Sequence, residues 1–313
     1  MKAATIVDGE IEVRDHPDPE PGAGEVLVRV RAAGLNGADM LQRRGLYPAP
    51  PGSPPDIPGL EFAGEVVAVG PGVRRFAEGD RVMAIVGGGG QAELCVTHER
   101  AAMPVPDGLS WPEAGGFSEV FVTAHDALFT QAQLRPGERL LVHGAAGGVG
   151  TAAIQLARAA GARVTATVRN EALRPAVAEL GAEVLAPEEL PSDERYDVVL
   201  ELVGAPNLAA NVKSLATGGR IVVIGIGAGA KGELNLRDLM NARGRVMGST
   251  LRARPLEEKA LAMRAVEREV LPLLAAGEVK VPVAETFPLE RVADAYERFA
   301  AGGKLGKIVL ELP

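Results

Sequence analysis

The sequence predicts an α/β protein made of a helix-covered parallel sheet and a separate compact β-rich unit. The first third holds short alternating strands between closely spaced prolines and glycines. In the middle third, strands rich in Val, Ile and Leu alternate with helical segments, which is typical of a parallel sheet buried on both faces. A last strand-like run, 307–312, is expected to pair back into the first unit. The predicted division is therefore 1–118, 119–251 and 252–313.

Length and charge limit the classes of function. The chain has 313 residues, and its 41 acidic and 33 basic side chains give a net charge of −8. At about 150 residues per domain the length predicts two domains. An acidic surface repels nucleic acid and anionic lipid, so neither is an expected partner. The longest uncharged apolar run, 221–230, is too short to span a bilayer, and Asp8, Glu10 and Glu12 disfavour a secretory signal. We expect a cytoplasmic protein.

Strands and helices follow from hydrophobic periodicity and from turn residues. Polar and apolar residues alternate through 25–31, as in a strand with one solvent-facing side. The strands predicted for the first unit are 3–7, 25–33, 64–69, 81–85 and 92–97. The middle third is predicted to hold strands at 139–143, 163–168, 197–201 and 220–226, and helices at 150–160, 172–180 and 205–215. The tail is predicted to hold a long helix at 255–276, a strand at 281–287 and a helix at 289–300.

The run 140–150, LLVHGAAGGVG, is the most specific motif in the chain. It reads as a strand, a glycine-rich turn and the start of a helix, with another predicted strand about 20 residues further on. Glycines let the backbone approach a diphosphate, and the helix start offers free N–H groups with a partial positive charge. Gly150 allows close packing of the helix on the strand. A simple tight turn would not need four glycines, so we expect dinucleotide binding.

The end of the following strand indicates which dinucleotide binds. Sites for NAD place an Asp or Glu there to bind the ribose 2′-hydroxyl. This chain has Thr167, Val168, Arg169 and Asn170, with no carboxylate before Glu171. Arg169 offers a planar, permanently charged partner for a 2′-phosphate, and Arg174 lies one helical turn further on. The prediction is NADP(H). The alternative is that Arg169 is a solvated loop residue.

With these motifs in place, the chain resembles the zinc-independent quinone oxidoreductases of the medium-chain dehydrogenase/reductase superfamily over essentially its full length. The resemblance rests on the runs 33–39, 58–64, 76–82, 144–150 and 306–310. It implies a GroES-like catalytic domain, built from both chain ends, around a Rossmann domain with a doubly wound parallel sheet. It also implies NADPH and a homodimer, for which the run 221–227 is expected to end a sheet that pairs across a two-fold axis.

The residues also predict that no metal is bound. Zinc-using relatives have a cysteine where this chain has Asn36 and a histidine where it has Leu60, and neither residue replaces a thiolate or an imidazole ligand. The structural zinc of those relatives needs four clustered thiolates, whereas Cys95 is the one cysteine here. The histidines show no ligand spacing and lie at positions 16, 98, 125 and 143.

Without a metal, the reaction depends on the cofactor and on a hydrogen-bond donor to the acceptor oxygen. Tyr47 is the candidate donor, because relatives place a tyrosine here facing the acceptor. Asn36 is the second candidate catalytic residue, because relatives use this asparagine near the nicotinamide. The alternatives are a half-buried loop tyrosine and an asparagine that only holds its own turn. Asp39 is interpreted as a structural residue, and Glu61 is left open between a role in the site and a role in bracing the core.

Further residues are expected to bind the cofactor. Thr123 matches a threonine that relatives place beside the nicotinamide, and Gly225 and Ile226 follow a parallel strand at the edge where ligands bind. The glycines 87–90 are expected to form a pocket loop. Lys304 and Lys307 are candidates to reach a cofactor phosphate, the alternative being that both are solvated. The predicted cofactor-binding set is Thr123, Ala146, Gly147, Gly148, Val149, Gly150, Arg169, Asn170, Arg174, Gly204, Gly225, Ile226, Ser249, Thr250 and Lys304.

Together these features predict an NADPH-dependent oxidoreductase that transfers a hydride to a quinone, a small-molecule acceptor, without a metal. One alternative is reduction of an enone or enoyl thioester with the same geometry, although a long acyl carrier would favour a basic entrance. An alternative of another class is a non-catalytic NADPH-binding protein. The sequence does not identify the physiological acceptor.

Overall fold

The computed structural model describes residues 1–190 and 193–313. Its strands in the first part of the chain are β1 (Lys2–Val7), β2 (Glu10–Asp15), β3 (Glu25–Gly34), β4 (Glu61–Val69), β5 (Arg81–Ile85), β6 (Leu94–His98) and β7 (Ala102–Pro104). Later strands are β8 (Arg139–Val142), β9 (Arg163–Thr167), β10 (Glu183–Leu185), β11 (Tyr196–Glu201), β12 (Leu215–Val223), β13 (Arg245–Gly248), β14 (Val283–Pro288) and β15 (Lys307–Glu311).

The helices connect these strands and cover the sheets. They are α1 (Gly37–Arg43), α2 (Trp111–Gly115), α3 (Ser118–His125), α4 (Gly148–Ala159), α5 (Arg174–Ala178), α6 (Leu208–Lys213), α7 (Leu236–Ala242), α8 (Leu256–Glu269), α9 (Leu271–Ala275) and α10 (Val292–Ala300). A π-helical segment, Asp126–Gln131, continues α3. Within the two described ranges, no helix combines the length and the apolar character needed to cross a membrane.

A parallel sheet forms the middle of the chain, as predicted. Its strand order is β10-β9-β8-β11-β12-β13, and every neighbouring pair is parallel. Numbered along the chain, this is the order 3-2-1-4-5-6 of the doubly wound dinucleotide-binding fold. Leu140 and Val142 on β8 pack with Ile154 on α4 in a fully buried core. The sequence therefore predicted this layer correctly, and the switch point lies between β8 and β11.

The run 221–227 does not end this sheet, so that prediction was wrong. β12 lies between β11 and β13, and β13 forms the edge. The segment after β12 supplies α7 and then a four-residue strand in which only Val246 and Met247 are apolar. So short a strand has no readable alternation, because a period-2 pattern needs several residues to be recognised.

The β-rich unit is built from both ends of the chain. Its sheet has the order β14-β15-β3-β4-β5-β7, with β6 also paired to β3. β15 pairs antiparallel with β3, placing Val309 opposite Gly34, so the predicted return of the last strand is confirmed. The predicted helix 255–276 is divided into α8 and α9 near Val270. Pro272 explains the division, because proline has no N–H to continue the helical ladder.

Both parts of the molecule meet at the glycine-rich turn. The Gly306 amide, just before β15, donates a 2.8 Å hydrogen bond to the Ala146 carbonyl, and Gly147 and Gly306 form a parallel bridge. The C-terminal strand therefore connects the β-rich sheet directly to the start of α4. The boundaries at 118 and 251 stay predictions.

Candidate active site

The glycine-rich turn has the geometry that the sequence predicts for a diphosphate site. β8 ends at Val142, and α4 begins after Gly147, which provides no side-chain cap. The amides of the first turn of α4 therefore have no carbonyl partner within the helix. A Cβ on Gly150 would lie 2.6 Å from Ala145 Cα, so only glycine allows this packing. A Cβ on Gly147 would meet nothing closer than the Gly144 carbonyl at 3.4 Å, which leaves the outer side open to a ligand.

A buried chain of polar side chains supports the turn from below. His143 Nε2 lies 2.7 Å from Asn211 Oδ1, and Nδ1 lies 2.8 Å from Thr167 Oγ1. An amide oxygen only accepts, so Nε2 carries the proton and Thr167 donates to Nδ1. Burial lowers the pKa of His143, although Glu201 and Asn211 oppose this shift. The chain thus joins the ends of β9, β8 and the region after β11, a connection that sequence reasoning did not predict.

Glu201, at the end of β11, holds the next loop. Its carboxylate accepts hydrogen bonds from Val203 N (2.6 Å), Gly204 N (2.8 Å) and Asn211 Nδ2 (2.7 Å). Gly204 has a φ of +127°, and a Cβ there would lie 2.6 Å from the Gly229 carbonyl. The amide of Gly204 is therefore already used inside the protein, and this predicted cofactor residue shapes the loop.

The predicted adenosine side lies at the end of β9. Arg169 and Asn170 are exposed, while Arg174 donates from Nε to the Val168 carbonyl at 3.1 Å. Asn170 Oδ1 accepts from Ala172 N at 3.1 Å and so starts the following helical turn. The side chains of Arg169 and Arg174 therefore stand at the same strand end, and the first carboxylate after β9 is that of the exposed Glu171.

Lys304 approaches this region from the C-terminal loop. A Cβ on the neighbouring Gly303 would lie 3.5 Å from Asn170 Nδ2, so the loop passes close to the end of β9. Lys304 Nζ lies 4.2 Å from the Phe299 ring centroid. Burial, followed by the charges of Lys307 and Arg298, lowers the pKa of Lys304 to about 8. A bound phosphate would reverse this shift, because a nearby negative charge favours the ammonium form.

The residues predicted beside the nicotinamide come from three segments, which are α3, the residues after β12 and the turn 249–250. Thr123 is buried on α3, whereas Ile226 is 48% exposed after β12. Gly225 packs so closely on the Leu202 backbone that a Cβ would overlap it. These three positions therefore present a buried hydroxyl, a side chain-free backbone and one exposed apolar side chain, and their place around a nicotinamide stays a prediction.

Ser249 and Thr250 are held by an ion pair. Arg254 donates to the Asp126 carboxylate at 2.6 Å, to Ser249 Oγ at 2.6 Å and, from Nε, to the Thr250 carbonyl at 2.6 Å. Asp126 is in the π-helical segment directly after α3, so this contact connects the turn 249–250 to the helix that carries Thr123. Single π-helical turns are frequent at functional sites. Because the Ser249 hydroxyl is used by Arg254, the serine offers a ligand mainly its backbone.

Lys307 is the centre of a second, deeply buried cluster. Its Nζ donates to Glu61 Oε1 at 2.6 Å, to Asn36 Oδ1 at 2.7 Å and to the Leu35 carbonyl at 2.8 Å. Lys307 is 3% exposed and Glu61 is fully buried. All three N–H groups of the ammonium are therefore used. The alternatives considered for Lys307, a solvated side chain or a phosphate ligand, do not match this placement.

Glycines form the walls around the stem of Lys307. A Cβ on Gly34 would lie 2.9 Å from Lys307 Cε, one on Gly148 would lie 2.8 Å from Cδ, and one on Gly116 would lie 3.1 Å from Cγ. Gly148 is the first residue of α4. The lysine side chain therefore passes the start of α4 before it reaches Asn36 and Glu61, and it connects the glycine-rich turn physically to this buried cluster.

Asn36 is fixed by the same cluster. Its Nδ2 donates to Glu61 Oε1 at 3.0 Å and to the Gly34 carbonyl at 3.3 Å, while Oδ1 accepts from Lys307. Both amide hydrogens are thus used, and only one acceptor lone pair is left for a ligand. Asp39 accepts from Asn36 N at 2.8 Å and from Gly59 N at 3.1 Å, which supports its interpretation as a structural residue at the start of α1.

Tyr47 is positioned by Arg252. The buried guanidinium donates to the Tyr47 carbonyl at 2.9 Å and lies 5.1 Å from the centroid of its ring. The same guanidinium donates to the Gly87 carbonyl at 2.7 Å and to Gln42 Oε1 at 2.6 Å. Burial raises the pKa of Tyr47, as does Glu119, so the phenol keeps its proton at neutral pH. The Tyr47 hydroxyl itself has no protein partner within 1–190 and 193–313.

Three glycines of the loop 87–90 border a cavity, and whether the loop faces cofactor or acceptor stays a prediction. Gly87, Gly88 and Gly89 border a space of about 400 Å³ that also reaches Cys95 and Lys259. A Cβ on Gly90 would lie 2.9 Å from the Glu61 carbonyl. The loop therefore lacks side chains both because protein backbone approaches it and because it borders this cavity.

Known protein families and curated proteins resemble this chain over most of its length. Residues 22–133 match the alcohol dehydrogenase GroES-like domain, and residues 148–268 match the zinc-binding dehydrogenase family. The quinone oxidoreductase of Rattus norvegicus is 34% identical over 310 residues, covering 94% of this chain and 91% of that protein. The chain belongs to the medium-chain dehydrogenase/reductase superfamily. It is an oxidoreductase of the kind that uses a nicotinamide cofactor, and its resemblance to the quinone oxidoreductases is confirmed.

Two further proteins are similar to this chain over almost its full length. The solved quinone oxidoreductase of Pseudomonas syringae pv. Tomato DC3000 superposes with a TM-score of 0.87 at 29% identity, covering 99% of this chain and 100% of that one. The pikromycin polyketide synthase component PikAII of Streptomyces venezuelae is 34% identical across 100% of this chain, which spans 8% of that protein. The fold is thus shared between free-standing proteins and a segment of a much larger synthase.

A zinc ligand set is not found in the described part of this medium-chain reductase. Those residues contain no group of three or more His, Cys, Asp or Glu side chains that could hold a metal ion. Leu60 is 1% exposed and apolar, and Cys95 is buried, with the pKa of its thiol raised to about 12 by burial. Cys95 is therefore a buried packing residue.

Sequence reasoning did not identify Glu119 as a residue of this site. Glu119 is the second residue of α3, its backbone N donates to Glu61 Oε2 at 2.8 Å, and its side chain is half-buried. Burial, with the negative charge of Glu61, raises the pKa of Glu119 to about 8. A lone carboxylate in the apolar run 117–124 was the signal that could have found it, because such a residue is rarely placed in a buried helix without a reason.

Proposed function

We propose that this protein is an NADPH-dependent quinone reductase that works without a catalytic metal. The observation that carries the proposal is the position of the Lys307 ammonium. It fills the space between Asn36 and Glu61, beside the position where zinc-using relatives have a metal-ligating cysteine. A metal ion there would meet a fixed positive charge and an amide in place of a thiolate. The chemistry of the donor set therefore opposes zinc.

The lack of a Lewis acid favours strongly electrophilic acceptors. A metal ion polarises a carbonyl and stabilises the charge that develops on its oxygen. A quinone needs less of this help, because its reduced form is aromatic and its carbonyls are already electron-poor. One well-placed hydrogen-bond donor supplies roughly 2–4 kcal/mol of transition-state stabilisation. Tyr47 is the proposed donor, since burial keeps its hydroxyl protonated and Arg252 holds both its backbone carbonyl and its ring.

The glycine turn and its surroundings would hold the cofactor. The amides at the start of α4 suit the diphosphate, and Thr123, Gly225 and Ile226 surround the expected nicotinamide crevice. When bound, the reduced nicotinamide supplies the hydride. The protein then positions the acceptor, excludes water and donates to its oxygen. Asn36 takes part through its remaining acceptor lone pair and through its fixed orientation.

Preference for NADPH is proposed from the end of β9. Arg169 is exposed there, Arg174 lies close behind it, and Lys304 approaches from the C-terminal loop. Three cationic side chains suit a 2′-phosphate, and the first two positions after β9 lack the carboxylate that binds a 2′-hydroxyl. This arrangement supports NADPH over NADH.

A homodimer is proposed through β13, the edge of the parallel sheet. Val246 on this strand is 39% exposed, and Leu236 and Met240 on the adjacent α7 are 65% and 75% exposed. An unpaired strand edge beside exposed apolar side chains is a suitable surface for a second copy. Light scattering of the purified protein checks the expected mass of two chains. The cytoplasm is the proposed location, on the basis of composition alone.

A second candidate acceptor is an enone or an enoyl thioester. The full-length similarity to a polyketide synthase component favours it, because such a synthase handles thioester-bound chains. The same hydride and proton geometry would serve, with the hydride delivered to the β-carbon. The net charge of −8 disfavours this candidate, because an acidic surface attracts a phosphorylated acyl carrier less strongly than a basic one would.

An acceptor panel tests the proposed function. The purified protein is mixed with NADPH and, separately, with a benzoquinone, a naphthoquinone, a simple enone and an enoyl-CoA, and loss of the nicotinamide absorbance is followed. We expect the quinones to give the highest kcat/KM, NADH to be used less well, and zinc analysis to find far less than one metal ion per chain. Preference for the enoyl-CoA would select the second candidate. Tight NADPH binding without any turnover would indicate a non-catalytic binding protein.

A further inference from the structure

The polar groups of the catalytic cluster are nearly all used by the protein itself. Lys307 donates its three N–H groups to the Leu35 carbonyl, Asn36 Oδ1 and Glu61 Oε1. Asn36 donates both of its amide hydrogens, to the Gly34 carbonyl and to Glu61 Oε1. Neither side chain can therefore give a hydrogen bond or a proton to an acceptor without breaking a buried contact. Leaving a buried partner unsatisfied costs about 1–3 kcal/mol or more. The proton needed by a reduced acceptor must come from elsewhere.

Near the cluster, the Tyr47 hydroxyl and the Glu119 carboxyl make no hydrogen bond to a described residue, and neither does the buried hydroxyl of the neighbouring Ser118. The Glu119 backbone is fixed against Glu61 by the 2.8 Å bond from its amide, but its carboxyl makes no hydrogen bond to a described residue. Glu119 precedes Thr123 by four positions on α3, so both side chains lie on the same face of the helix. That face carries the threonine expected beside the nicotinamide.

Charged and titratable groups face Glu119 from every element packed around it. They are Asp39 on α1, Tyr47 in the loop after α1, Glu61 on β4, Arg252 after β13, Lys259 on α8 and Lys307 on β15. Burial is the largest influence, and Glu61 and Asp39 add to it, whereas Lys307 and Arg252 oppose it. The net result is a pKa of about 8, so Glu119 is mostly a neutral acid at pH 7.

We propose that Glu119 is a catalytic proton donor in the acceptor pocket, acting beside Tyr47. This inference rests on the proposed quinone or enone reduction. As the hydride adds to the acceptor, the electron pair moves to the acceptor oxygen. An O–H bond forms there while the O–H bond of Glu119 breaks and leaves both electrons on the carboxylate. The reduced nicotinamide is oxidised, the acceptor is reduced by two electrons, and water returns a proton to the half-buried Glu119.

The main test replaces Glu119 by glutamine, which keeps the size and the neutral charge but cannot release a proton. We expect kcat with a quinone at pH 7 to fall by about 10- to 100-fold, near the low end of the range for general acids because quinones are reactive. The affinity for NADPH, measured by fluorescence titration, should be unchanged. Glu119→Asp keeps an acid and should retain part of the rate. Glu297→Gln on the exposed side of α10 is the matched surface control and should behave as wild type.

The pH profile separates proton donation from a structural role. Because the donor must be protonated, kcat of the wild type should be level below about pH 8 and fall about tenfold per unit above it. Glu119→Gln should show a low rate without this limb. A variant that is slow but keeps the limb would assign the limb to another group and overturn the proposal, and so would a variant with the wild-type rate.

A measurement without turnover tests the same residue independently. Difference infrared spectra between the wild type and Glu119→Gln, recorded without cofactor, should show a protonated carboxyl band at pH 6 that disappears through about pH 8. A Glu119 carboxylate already ionised at pH 6 would overturn the inference. If no quinone or enone is reduced at all, the proposed function fails, whereas an intact acceptor activity with an ionised or dispensable Glu119 rejects only this inference.

Discussion

The dinucleotide turn and the Lys307 cluster lie side by side but are built in opposite ways. The turn uses backbone groups and glycines from one continuous run, 140–150. The cluster uses charged side chains that are far apart in sequence, since 271 positions separate Lys307 from Asn36 and 246 separate it from Glu61. The turn leaves its polar groups open to a ligand, whereas the cluster satisfies its own. A region that binds a ligand needs polar groups without a hydrogen-bond partner in the protein, whereas a region that holds side chains in place needs polar groups that are already hydrogen-bonded.

The two regions also depend on each other. The stem of Lys307 passes Gly148 at the start of α4, and the preceding Gly306 amide bonds to Ala146 in the turn. A change in the cluster can therefore move the turn, but the reverse effect should be smaller, because the turn is supported separately by His143 and Glu201. The four predictions below test how separate the two regions are.

The largest effect is expected from Lys307→Met. Removing the ammonium leaves the fully buried Glu61 carboxylate without its ionic partner, and such a loss costs about 3–5 kcal/mol of unfolding free energy. Urea denaturation followed by circular dichroism measures it. The double variant Lys307→Met with Glu61→Gln should recover part of the loss, because the uncompensated charge is gone. Equal stability of Lys307→Met and wild type would show that the cluster does not hold the catalytic sheet to α4.

Alanine substitutions at two glycines of the turn form a matched pair, and they should give the next largest effect on stability and on cofactor binding. Gly150→Ala places a Cβ 2.6 Å from Ala145 Cα and should destabilise the fold by about 1–3 kcal/mol. Gly147→Ala places its Cβ on the open side, so the fold should be retained while NADPH affinity falls. Thermal unfolding and fluorescence titration separate the two outcomes. A folded Gly150→Ala protein with normal stability would contradict the close packing of α4 on the turn.

The cluster should also make stability depend on pH. Burial raises the pKa of Asp39 from 3.8 to about 6 in the folded state. The folded protein therefore binds this proton more tightly than the unfolded chain, and the stability contributed by it is present below about pH 4 and lost as pH rises through 6. A loss of about 1–3 kcal/mol is expected across this window from Asp39. Comparing the pH dependence of wild type with Asp39→Asn isolates it, and identical slopes would refute the assignment.

The smallest effect is expected at the edge of the dinucleotide site. Arg169→Gln removes an exposed charge at the end of β9 without disturbing a protein contact. We expect KM for NADPH to rise about tenfold, equivalent to about 1.4 kcal/mol, with KM for NADH nearly unchanged. Glu171→Gln is the control variant, because Glu171 lies two positions from Arg169 and is also exposed. Equal changes in both KM values would mean that Arg169 does not recognise the 2′-phosphate.

Local patterns predicted much of the fold. The strands around the glycine turn and the helix α4 were predicted correctly, because their apolar runs and turn residues act over a few positions. β13 and the break between α8 and α9 were missed, since a four-residue strand has no readable period and an interrupted helix keeps an unbroken helical pattern up to Pro272. The resemblance to a known family supplied the return of the C-terminal segment in more detail than periodicity did.

The candidate site was only partly predictable. Tyr47 and Asn36 were chosen from motifs. The structure places Asn36 in the buried Lys307 cluster and Tyr47 against Arg252, and their catalytic roles stay predictions. Ser249 and Gly204 turned out to use polar atoms within the protein. Glu119 and Lys307 were not selected as catalytic candidates, because their importance depends on neighbours contributed by distant segments.

The sequence by itself determined the dinucleotide layer and the close packing of Gly150, because each depends on residues within one short run. Only the tertiary structure decided that Lys307 is a buried ammonium, that Asn36 has no free hydrogen, and that burial raises the pKa of the Glu119 carboxyl. The physical reason is that desolvation and ion pairing depend on which groups surround a charge in space. In this protein those groups come from β4, α3 and β15, which meet only after the chain has folded.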